Sequence, residues 1–195
     1  MSKGQQTKAA ILDEAVGIAS RVGFNALTIG QLAESTGMSK SGLFAHFKSK
    51  EALQLETLER GRERFTDLVV RPTLAAPRGV LRVRALVDHW LVWETQALEG
   101  GCIFVTGSVE FDDQPGPMRD ALVRNQKDWG EFIAAVAGTA VSEGDFRSEV
   151  DVEQFAFAVQ GLVYAFHHAA RLLHDPKAAD HLTAGLEQLI AASSA

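Results

Sequence analysis

Between Leu27 and Phe47 the apolar positions fall into two short helical sets separated by a turn. Ile29, Leu32 and Ala33 repeat at three and four residues, and Leu43, Phe44 and Phe47 do the same further on. Thr28 followed by Gln31 is a capping box, so the first helix is predicted to open at Thr28. Gly37 suits a sharp turn, Met38 can fill the angle behind it, and Ser39 is a good N-cap for the second helix. The outer face of that second helix carries Lys40, Ser41, Gly42, Ala45, His46 and Lys48. A helix start with short, polar and basic side chains suits a DNA major groove, where the first turn reaches base edges and nearby cations hold phosphates. The pattern predicts a helix-turn-helix.

The same periodicity extends in both directions. A helix is predicted from about Thr7 to Val22, with Ile11, Ala15, Ile18, Ala19 and Val22 on one face and Gly23 as its stop. It would complete a three-helix head. Ser49 caps a longer helix through Leu53, Leu58, Phe65 and Leu68, expected to link head to body and to end at Pro72 in a loop, RPTLAAPRG. Helices follow over Val83–Leu91, briefly over 102–109, from Pro117 to about Gly144, from Asp151 to Leu173, and after Asp175-Pro176. The expectation is an all-α chain of about nine helices. It divides into a DNA-binding domain at residues 1–50 and an effector-binding and dimerisation body at residues 51–195.

Charge sharpens that division. The chain of 195 residues carries a net charge of −6, but residues 1–50 hold six Lys/Arg against three Asp/Glu, and residues 51–195 hold thirteen against twenty-two. A head of +3 on a body of −9 orients itself on a polyanion, and so small a positive charge favours binding by two copies. Apolar content of 46% is ordinary for a globular chain. No run is apolar enough to span a bilayer and the polar start lacks a signal-peptide core, so a cytoplasmic protein without membrane contact is expected.

The run from Leu27 to Leu53, ending GLFAHFKSKEAL, resembles the DNA-binding domain of the tetracycline-repressor-like (TetR/AcrR) family. A second stretch, GGCIFVTGSVEFDDQPGPMRDAL, is similar to one found in a subgroup of that family's effector domains. The resemblance implies a dimeric regulator, most often a repressor. Relatives often have Arg where this chain has Gly30, and Tyr or Tyr/Trp where it has Phe44 and Ala45, so their phosphate-binding hydroxyls are missing here. DNA contact is therefore assigned to Thr28, Lys40, Ser41, Gly42, Phe44, His46, Lys48 and Lys50, with backbone anchoring shifted toward Thr28 and the basic residues.

In the body, Trp90, Trp93, Phe104, Phe111, Trp129, Phe132, Phe157 and Tyr164 are candidates to line a pocket for an apolar or aromatic effector. Their helical spacing is equally that of plain core, the commoner role for each taken singly. Asp88, His89, Glu94, Glu110, His167 and His168 are candidate polar groups for such a pocket, with solvated surface or interface the simpler reading of each. Phe155, Val159, Leu162 and Phe166, with Leu182, Leu186 and Leu189, offer more apolar surface than one core needs. They are read as the interface of a two-fold four-helix homodimer.

No HxxxH or HExxH spacing supports a metal, and no nucleophile, base and orienter fall into a catalytic pattern, so no cofactor, metal or enzyme activity is expected. Cys102 reads as a small buried residue, with a redox-sensing thiol as the alternative. Two other functions stay open: an activator or ligand-independent regulator of the same fold, and a helical small-molecule-binding protein or enzyme that has lost DNA binding.

Overall fold

A computed structural model describes residues 3–195. Nine helical elements account for the fold among the described residues, as the periodicity predicts. They are α1 (Lys3–Val22), α2 (Ile29–Thr36), α3 (Lys40–His46), α4 (Lys50–Phe65), α5 (Val80–Val92), α6 (Ile103–Phe111), α7 (Pro117–Ser142), α8 (Val152–His167) and α9 (Ala178–Ser193). Three of them run on into wider π turns: α4 through Thr66–Val70 to a further helical segment Arg71–Ala75, α5 through Trp93–Ala97, and α8 through His168–Leu172. Pro72 therefore does not end its helix, contrary to the sequence expectation. It follows a π turn at the start of the segment to Ala75, where a missing N–H is tolerated.

By packing, the chain forms two compact units, Met1–Phe65 with Thr95–Asn125, and Thr66–Glu94 with Gln126–Ala195. The linear division at residue 50 does not follow this packing, because a second stretch of chain returns to the head.

In the first unit Ile11, Ala15, Ile18, Leu27, Leu32, Leu43, Phe47 and Leu53 form one buried cluster that joins α1, α2, α3 and the start of α4. Arg60 on α4 grips Asp13 on α1 through both carboxylate oxygens, at 2.8 and 2.9 Å. Helix α6 packs close. A Cβ at Gly61 would lie 2.2 Å from Ile103 Cδ1, and the Phe65 and Phe104 rings meet edge to face at 5.5 Å. A Cβ at Gly100 would lie 1.8 Å from the Ser20 carbonyl oxygen, so only glycine allows that approach, and the Gly100 N–H donates to Ser20 Oγ.

In the second unit Val83, Leu86 and Trp90 of α5, Ile133, Val136 and Ala140 of α7, Phe155, Val159, Val163 and Phe166 of α8, and Leu182, Leu186 and Ile190 of α9 are buried. Trp90 meets Phe166 edge to face at 5.7 Å, and Phe146 tilts against Phe155 at 5.2 Å. Arg84 and Glu187 form a two-pronged ion pair between α5 and α9 at 2.7 Å each.

This packing corrects the expected dimer interface. Phe155, Val159, Phe166, Leu182 and Leu186 lie in the core of their own unit. Leu162 is partly buried with its Cδ2 2.6 Å from where a Gly185 Cβ would stand, and Leu189 is also partly buried. The side of α8 left in solvent instead runs Phe157, Gly161, Ala165, His168 and Leu172, spaced by three and four residues, with Phe157 71% exposed.

Candidate nucleic-acid interface

The local signals read from the sequence form the head as expected. Thr28 Oγ1 accepts the Gln31 N–H at 3.2 Å and opens α2, and Gly37 closes it at φ 67°. Ser39 Oγ accepts the Gly42 N–H at 3.1 Å and opens α3, and Ser49 Oγ accepts the Ala52 N–H at 3.0 Å before α4. Leu43 and Phe47 are buried beneath α3, which turns Lys40, Ser41, Phe44, Ala45 and Lys48 outward. Phe44 is 58% exposed, a large ring left in water beside basic neighbours.

Gly30 gives the surface its anchor. A Cβ there would stand 3.9 Å from Lys40 Nζ and 3.6 Å from Thr28 Oγ1, so the Lys40 ammonium lies over the first turn of α2. Two positive features coincide at that point, a lysine and the end of a helix whose amides face outward. A longer side chain at residue 30 would enter the space that Lys40 occupies. Gly42 and His46 are half-buried on α3, and Lys50 Nζ donates to the Asn25 carbonyl at 2.5 Å, tying its ammonium to the α1–α2 turn.

The expected effector residues divide between the units. Phe104 and Phe111 are buried in the first; Trp90, Trp93, Trp129, Phe132, Phe157 and Tyr164 belong to the second. Trp90 and Trp93 are fully buried, and Trp129 stacks on Phe132 at 5.8 Å. Phe157 is corrected from pocket to surface, since its ring stands on the outer side of α8.

Two polar candidates meet. Glu94, the one charged side chain buried among the described residues, accepts a hydrogen bond from His167 Nδ1 at 2.7 Å. A buried carboxylate needs such a partner, because desolvation without one is costly. Glu110, by contrast, belongs to the first unit, where its carboxylate accepts from the backbone N–H groups of Phe24 and Asn25. Gln54, unmarked in the sequence reading, donates from a buried amide to the Phe24 carbonyl at 2.8 Å. Its place in the apolar register of α4 is the signal that was there to find. Cys102 is buried and unbridged, as its composition suggests. Among the described residues no helix is long and apolar enough to cross a membrane.

The sequence of residues 11–57 matches the family described as bacterial regulatory proteins, tetR family, and residues 79–186 match the tetracyclin repressor-like C-terminal domain. The chain belongs to the TetR family. Its head and body are both recognised, so the match covers well over half of the chain. No curated protein matches this TetR-family chain significantly. Among solved structures, a TetR-family regulator from Cytophaga hutchinsonii superposes with a TM-score of 0.86 over 100% of this chain and 98% of its own, at 18% identity. One from Chloroflexus aurantiacus gives 0.81 at 25% identity, covering 98% and 96%. AibR, solved in complex with isovaleryl coenzyme A and operator DNA, gives 0.73 at 21% identity, covering 94% and 97%. These likenesses establish the all-α TetR fold and, with the family match, a DNA-binding transcriptional regulator.

Proposed function

We propose that this TetR-family chain is a homodimeric repressor that a small apolar or aromatic effector releases from its operator. The observation that carries the DNA-binding part is the surface of α3. Lys40 sits over the capped start of α2 beside Thr28, while Ser41 and Phe44 stand outward on the same helix. In this reading Lys40, Thr28 and Lys48 hold phosphates. Ser41 reaches base edges in the major groove, and Phe44 contacts thymine methyls there. His46, half-buried, is kept as a phosphate contact, and Gly42 lets the helix approach closely.

The effector reading rests on the second unit. Buried tryptophans and the Trp129–Phe132 stack supply apolar walls, and the Glu94–His167 pair supplies a polar group to orient a guest. Phe104 and Phe111 are buried in the first unit and take no part in this reading. AibR shares the fold and is solved with an acyl-coenzyme A and operator DNA together; the pairing of effector and operator is our reading of this chain.

The test is selection of genomic fragments by the purified protein, followed by competition with random DNA at two salt concentrations. Sequence-selective, salt-sensitive retention supports the reading, and retention without selectivity would sink it. Thermodynamic reciprocity tests the effector. A compound that lowers operator affinity a hundredfold, about 2.7 kcal/mol, must itself bind a hundredfold more weakly to the operator complex.

A further inference from the structure

The turn between α1 and α2 is held from two sides. Phe24 at its centre is fully buried, and its carbonyl accepts from Gln54 on α4 at 2.8 Å. Its N–H donates to Glu110 Oε2 on α6 at 2.7 Å, and the Asn25 N–H faces Glu110 Oε1 at 3.4 Å. One turn earlier on α6, Gly107 lies under the same ring: a Cβ there would stand 3.1 Å from Phe24 Cε2. Gly23, at φ +82°, is also shaped by this carboxylate, because a Cβ would meet Glu110 Oε1 at 2.1 Å.

Electrostatics alone would not put an anion there. Glu110 lies in the last turn of α6 and beside the end of α1, the negative ends of two helix dipoles. What holds the carboxylate is the pair of backbone donors, and what they gain is a fixed turn. That turn sets the angle at which α1 hands the chain to α2, and so the pose of the whole helix-turn-helix.

We propose that Glu110 is a positioning residue for operator recognition, acting from α6 by fixing the Gly23–Asn25 turn that leads from α1 into the helix-turn-helix. The proposal rests on the DNA-binding reading above. The functional head is then discontinuous in sequence, with residues 95–125 completing what residues 1–65 begin.

The test compares wild type, Glu110→Ala and Glu110→Gln in the full chain. Four readouts are taken: affinity for a selected operator fragment, affinity for random DNA of equal length, amide exchange at Phe24 and Asn25, and melting temperature. Loss of a charge-assisted hydrogen bond predicts about a tenfold or greater fall in operator affinity for Glu110→Ala, with random-DNA affinity within about twofold. Exchange at Phe24 and Asn25 should rise. Glu110→Gln keeps one acceptor and should fall between.

If melting temperature drops while the ratio of operator to random affinity stays at the wild-type value, the role is structural only and the proposal is overturned. If Glu110→Ala does not fold, Glu110→Gln decides: wild-type ratio and wild-type exchange there overturn it equally. A wild-type protein without any operator selectivity would instead refute the DNA-binding reading itself, a result that Glu110 variants cannot mimic.

Discussion

At the scale of single residues, Lys40 and Ser41 are neighbours on α3 with different expected duties. Lys40 Nζ lies close to the start of α2, where a phosphate would meet an ammonium and outward-facing amides together. Lys48 is exposed beyond the far end of the same helix. Lys40→Ala and Lys48→Ala should each weaken binding to operator and random DNA alike. Each should also reduce the slope of log affinity against log salt by about one per protomer, since fewer counterions are released. Ser41→Ala should leave that slope unchanged and alter which sequences are retained. Titrations at several salt concentrations check this, and wild-type slopes in both lysine variants would remove α3 as the docking face. Gly42 is a poorer probe than the sequence suggests. A Cβ there would stand 3.2 Å from the Ser39 hydroxyl that caps the helix, so a change confounds reading with folding.

At the scale of elements, what could be read from the sequence was whatever closes within a few residues. Thr28 with Gln31, Gly37, Ser39, Ser49 and Asp151 all cap or stop helices as their positions imply, because each hydrogen bond is local. The partners of Glu110, Glu94 and Gln54 were not legible in that way, since they lie far off in sequence. The ties between α5 and α9 are of this long-range kind too. Arg84 donates two hydrogen bonds to Glu187 and, mainly through them, holds that carboxyl below the ordinary glutamate range. A carboxyl lowered in the folded state stabilises above its unfolded value, about pH 4.3, and that contribution is lost as pH falls through the lowered folded value. Thermal melting from pH 7 to pH 2.5 should therefore show a steeper acid loss for wild type than for Glu187→Gln. The difference should be under about 1 kcal/mol, because both side chains are more than a third exposed to solvent. Parallel pH profiles would mean the pair adds nothing.

At the scale of the whole molecule, the expected homodimer depends on which side of α8 is left for a second copy. Period alone could not choose, because α8 is apolar on nearly every side: Phe155, Val159 and Phe166 repeat as regularly as Phe157, Gly161 and Ala165. Packing separates them. The first set is buried within its own unit, and Phe166 is spent on Trp90. The second set is exposed, with a large ring at one end and two small residues where another helix can approach closely. We therefore expect Phe157→Asp and Ala165→Arg to dissociate the dimer with helical content and melting little changed. Phe166→Asp should instead destabilise the protomer by several kcal/mol, since it buries a charge against an indole. Dissociation should also cost operator affinity, because a head of charge +3 binds weakly alone and two heads are needed for half-sites about 34–36 Å apart or a multiple of that. Sedimentation of each variant, followed by titration on operators with one and two half-sites, reads both effects. If Phe157→Asp and Ala165→Arg both sediment as wild-type dimers, the two-fold contact lies on another face. If they are monomers that still hold a two-site operator at wild-type affinity, dimerisation is not what makes the weak head sufficient.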